Sequence, residues 1–89
     1  MTTTMIEKAE NGGKLIKRSL AIAGHKTSVA LEREFWTALE REAAHQGKSL
    51  AAVVAEIDAT RIRATPRRSL ASAIRVWLLG RSRVNGPIL

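Results

Sequence analysis

Eighty-nine residues without cysteine allow one small domain that no disulfide or thiolate metal site can staple. Fifteen Lys/Arg against eight Asp/Glu leave a formal charge of +7, which points to a polyanionic partner, nucleic acid before an anionic membrane surface. No apolar run approaches the roughly 18 residues of a membrane span, and the opening MTTTMIEKAENGGK lacks the order of an export signal, so no membrane and a cytoplasmic setting are expected. The charge is uneven: +3 over residues 1–31, −3 over 32–58 and +7 over 59–89. An acidic middle is held between basic flanks.

In chain order, residues 1–14 are polar with a breaker at Asn11-Gly12-Gly13, and they read as a flexible N-terminal tail. No repeat or low-complexity tract appears. In the next stretch, LIKRSLAIAG, Leu20 and Ile22 alternate with small residues. This reads as a weak strand or, equally, an irregular N-terminal arm; a two-residue hairpin turn signal is absent. Residues 26–31 make the better strand, with Thr27, Val29 and Leu31 on one face and Lys26, Ser28 and Ala30 on the other. Its backbone needs a partner, either the segment before it or the same strand of a second chain.

Residues 33–46 predict a helix with an apolar stripe at Phe35, Trp36, Leu39 and Ala43, ended by Gly47. Ser49 is the expected N-cap of a second helix, whose Leu50, Val53, Val54 and Ile57 recur at helical spacing. Thr65-Pro66 stops it. A third, basic helix is predicted from 66 or 69 to 79, with Leu70, Ile74, Trp77 and Leu78 as its stripe, Gly80 as its cap, and 81–89 frayed.

Strand TSVALE, the helix with Phe35 and Leu39, the break Gly47-Lys48-Ser49 and the helix with Val53, Val54 and Ile57 together resemble a ribbon-helix-helix (Arc/MetJ-type) DNA-binding domain. RSLAIAGHKTSVALEREFW followed by SLASAIRVWLL is similar to a small bacterial subgroup of that fold. The resemblance implies a mainly α fold with one short strand per chain, forming an intertwined homodimer, with a C-terminal helix added. It implies three parts: the tail at 1–14, a ribbon-helix-helix domain with its arm at 15–63, and the basic C-terminal helix and tail at 64–89. The two strands of the dimer would form a ribbon in the major groove of double-stranded DNA. Base contacts then fall to Lys26, Ser28 and Ala30. Ala30 offers only a methyl contact, where such ribbons usually carry a polar residue. Phosphate contacts fall to Lys48 and the helix N-terminus at Ser49 and Leu50, joined by Lys17 and Arg18. The dimer core would take Val29, Leu31, Phe35, Leu39, Val53, Val54 and Ile57.

Other chemistry finds little support. Gly47-Lys48-Ser49 ends like a phosphate-binding loop, but Glu42 stands where its first glycine belongs. His25 and His45 are twenty residues apart without further ligands, so no metal and no cofactor is expected. No nucleophile is paired with a base, so no enzyme is expected. A helix-turn-helix reading fails because LAAVVAEI has almost no polar reading face. The expected function is a sequence-specific transcriptional regulator, a repressor that occludes a promoter. The alternatives are the antitoxin of a toxin–antitoxin pair and a module that binds a protein partner through residues 66–79.

Overall fold

A computed structural model describes residues 14–85, and the side chains of 14–82. Residues 1–13 of the tail expected over 1–14, the side chains of 83–85 and residues 86–89 lie outside the described residues. Five elements follow in order: β1 (Leu15–Ile22), β2 (His25–Glu32), α1 (Arg33–Gln46), α2 (Leu50–Arg63) and α3 (Leu70–Asn85).

The chain carries two strands rather than the single strand expected. β1 pairs antiparallel with β2 from Leu15↔Glu32 to Ile22↔His25. The turn between them has only two residues, Ala23 at φ 52° and Gly24 at φ 84°. Two left-handed central residues are the turn that matches the twist of paired strands. Glycine adopts that conformation freely, whereas a residue with a Cβ is penalised by roughly 1–2 kcal/mol. Ala23 is therefore strained, and Ala23→Asn should stabilise the chain by about 0.5–1 kcal/mol. A thermal melt tests this: the melting temperature should rise by several degrees, and a fall would count against the strain.

Period-2 alternation gives the hairpin two unlike faces. Ile16, Leu20 and Ile22 of β1 turn inward with Thr27, Val29 and Leu31 of β2, while Lys17, Ser19, Ala21, Lys26 and Ser28 are exposed on the other side.

The helix boundaries have local causes. α1 ends at Gly47, left-handed at φ 68°. The N–H of Gly47 donates to Ala44 O (3.1 Å) and that of Lys48 to Ala43 O (2.9 Å), which closes the helix by a Schellman motif. α2 is capped by Ser49, whose Oγ accepts from the Ala52 N–H at 3.0 Å. Ser69, the later of the two expected starts, caps α3 in the same way, accepting from the Ser72 N–H at 3.1 Å. α3 does not stop at Gly80. It runs on to Asn85, and Gly80 has no positive φ, so nothing in its backbone breaks the helix.

Within one chain, Val29, Leu31, Leu39, Val53, Val54 and Ile57, expected in the core of a dimer, are all at most 3% exposed, and Phe35 is half-buried against them. Two elements supply the cover: β1 brings Ile22, and α3 brings Ile74 and Leu78. Trp36, on the α1 stripe, is 2% exposed, and its Nε1 donates to Ile16 O at 2.8 Å.

Candidate nucleic-acid interface

The outer face of the hairpin is built from three alternate cross-strand pairs: Lys17↔Ala30, Ser19↔Ser28 and Ala21↔Lys26. Lys26, Ser28 and Ala30 therefore share the outward face expected of them, with Ala30 the most shielded of the three. Lys17, expected as a phosphate contact, is on this same face. Ser19, not singled out from the sequence, stands directly across from Ser28.

The sequence does carry a signal for β1. Lys17-Arg18-Ser19-Leu20-Ala21-Ile22 and Lys26-Thr27-Ser28-Val29-Ala30-Leu31 share one pattern: Lys, Ser and Ala at alternate positions, separated by inward residues and ending on an aliphatic one. The reading that no repeat exists is thus corrected. The repeat is short, and its shared positions are polar or small, so hydrophobic periodicity alone does not reveal it.

Charge pairing separates the two faces. Arg18 points inward, 4.6 Å over the Trp36 ring, and bonds Glu40 at 2.8 Å. Arg75 reaches Glu32 at 2.9 Å and Arg81 reaches Glu42 at 2.9 Å. Lys48 is paired with Glu56, and Arg61 with Asp58 at 2.7 Å. Hydrogen bonds from its own backbone and from Arg75 hold the Glu32 carboxyl below the ordinary carboxylate range. At Glu42, burial pushes the pKa up, but bonds from Gln46 and Arg81 outweigh it and the net shift is downward. Of the acids in the middle of the chain, all but Glu34 are thus paired with cations of the helices and the inner face. Among the described residues, Lys17 and Lys26 have neither a carboxylate nor a hydrogen-bond partner.

A second feature is the N-terminus of α2. The Ser49 side chain is occupied as a cap. The first-turn N–H groups at Leu50 and Ala51 have no acceptor within the helix and carry the positive end of its dipole. Leu50 packs its side chain on the core while Ser49 stays exposed. His25 and His45 are exposed, and among the described residues no group of three or more His, Asp or Glu could hold a metal. No helix among the described residues is long and apolar enough to cross a membrane.

An antiparallel two-stranded ribbon set on helices, with its outer face polar and basic, defines a nucleic-acid-binding type of fold. The family model for the ribbon-helix-helix domain matches residues 15–81, and the chain belongs to that family. The match runs from the start of β1 through most of α3. A solved structure, described as an uncharacterized protein from Bordetella pertussis Tohama I, is similar with a TM-score of 0.66 at 25% identity, over 99% of this chain and 76% of that one. No curated protein shows a significant match.

Proposed function

We propose that this protein is a sequence-specific regulator of transcription that binds double-stranded DNA in the cytoplasm, at the nucleoid, and represses by occluding a promoter. The observation that carries this reading is the outer face of the hairpin. Its lysines are unpaired among the described residues, while five other cations are held by carboxylates. Lys26 can donate to guanine O6/N7, Ser28 can donate or accept, and Ala30 can touch a thymine methyl.

Phosphates are seated at Ser49 and the open N–H of Leu50, with Lys48 beside them. Lys48 must exchange Glu56 for the phosphate, but an exposed ion pair is worth only about 0–1 kcal/mol, so the exchange costs little. Arg18 has a different task, because its guanidinium lies between Trp36 and Glu40 and holds β1 to α1.

Selection of bound sequences from random duplex DNA tests the reading, followed by a salt titration on the winner. A defined site should emerge, and log affinity should fall linearly with log salt, by about 0.9 per phosphate contacted. No enriched sequence, or affinity indifferent to salt, would refute it.

A second reading has its own observation. Val76, 45% exposed, lines an apolar groove between α2 and α3 with Ile57, Ala64, Ala73 and Trp77, edged by Arg61 and Arg68; on the same two helices Ile62 and Leu79 are 48% and 64% exposed. This surface within residues 62–79 suits a protein contact. In the regulator, it is where two folded chains would join as a homodimer. In an antitoxin or an interaction module, it would take a different protein.

A further inference from the structure

We propose that one chain supplies the whole DNA-reading ribbon, with β1 standing where a second chain's strand would otherwise lie. This rests on the DNA-binding reading above and adds Lys17 and Ser19 to the base-contacting set.

The register carries the inference. Pairing Ser19 with Ser28, Lys17 with Ala30 and Ala21 with Lys26 creates a local two-fold axis between the two serines. Rotation about it carries Lys17 onto Lys26, Ser19 onto Ser28 and Ala21 onto Ala30, the positions the six-residue pattern makes identical. A ribbon made by two copies of β2 would have such symmetry automatically. Here two different segments of one chain produce it, and the sequence identity falls on the outward positions. The inward partners differ: Arg18 answers Thr27, and Leu20 answers Val29. Packing does not require the outward residues to be alike, since all but the half-buried Ala30 are exposed. A two-fold related pair of base patterns in DNA does.

Groove dimensions agree. Neighbouring strands lie about 4.8 Å apart, and a major groove about 12 Å wide admits two strands with their side chains. Pairing β2 with a second β2 while both keep β1 would make four strands, with outer backbones about 14 Å apart, too wide to enter. The buried core adds to this, because β1 and α3 already cover the residues a partner would have covered.

The site is then specified. Lys17 and Lys26 lie at opposite ends of the face, four residues apart in register and on different strands. At about 3.4 Å per residue, that is about 14 Å along the ribbon, or about four base pairs. Each lysine should meet a guanine, the two guanines being related by approximate two-fold symmetry and flanking a centre faced by Ser19 and Ser28.

The test is selection from random duplex DNA with the full chain and with Lys17→Ala and Lys26→Ala, each checked for an unchanged melting temperature. Each variant should weaken binding to the preferred site by roughly 5- to 150-fold, and each should relax a different one of the two related positions. If Lys26→Ala relaxes both positions while Lys17→Ala changes only the salt slope, the ribbon forms between chains and the inference is overturned, though DNA reading stands. If neither variant changes the preferred sequence, the hairpin does not read bases, and the DNA-reading function fails with it.

Discussion

A chain ended after Ala64, and so without α3, should lose cooperative folding. α3 places Ile74 at 0% and Leu78 at 1% exposure, with Leu70 and Trp77 packed against the same cluster. Burying each large aliphatic side chain stabilises by about 1.5–3 kcal/mol, and a domain of this size has only about 5–15 kcal/mol in total, at the lower end for small domains. Removal also uncovers Ile57 on the side of α2 that faces α3, and it deprives Glu32 and Glu42 of Arg75 and Arg81. Circular dichroism of the shortened chain should show no sigmoidal melt. Single substitutions grade the effect: Ile74→Ala and Leu78→Ala should each cost about 2–5 kcal/mol. A contrary result would be informative. If the shortened chain melts cooperatively, at a temperature that rises with its concentration, a second chain is replacing α3 and the core is intertwined after all.

The two central helices were legible because their signals are local. Gly47 and Ser49 sit next to the boundaries they create, and Leu39, Val53, Val54 and Ile57 repeat at the helical period. The outward trio Lys26, Ser28 and Ala30 was legible for the same reason, since alternation alone assigns a strand's faces. The hairpin was not, because Ala23-Gly24 lacks the Asn or Asp that announces a left-handed turn, and the strained Ala23 is tolerated only because eight paired residues on each side hold it. The apolar stripe of α3 was visible, yet periodicity says that a face is buried and not by what. The same stripe fits an appended helix or the lid of the core. The expectation of a dimer core came from the family resemblance; within one chain, β1 and α3 cover the residues from Val29 to Ile57. Gly80 misled in the opposite way. A helical glycine resembles a stop, but it ends a helix only where the backbone turns left-handed, as Gly47 does and Gly80 does not.

The other large effect is expected at Trp36, the residue that joins the ribbon to the helices. Its ring is 2% exposed, its Nε1–H supplies the Ile16 carbonyl at 2.8 Å, and the Arg18 guanidinium lies over it at 4.6 Å. Both of these contacts are to β1, the strand that carries Lys17 and Ser19. Trp36→Ala should destabilise by about 3–5 kcal/mol through the cavity it leaves, enough to unfold a marginal domain. Trp36→Phe is the finer probe. It keeps an aromatic ring in the core but removes the indole donor from the Ile16 carbonyl, a loss of about 0.5–1.5 kcal/mol for one hydrogen bond. Because the loss falls on one strand, the response should be local as well as global. Amide hydrogen exchange in Trp36→Phe should accelerate in β1 more than in α2. Binding to the preferred DNA should also weaken, because an unanchored β1 carries its half of the reading face away from β2. Uniform acceleration across β1 and α2 would mean that Trp36 only fills the core and does not fix the strand.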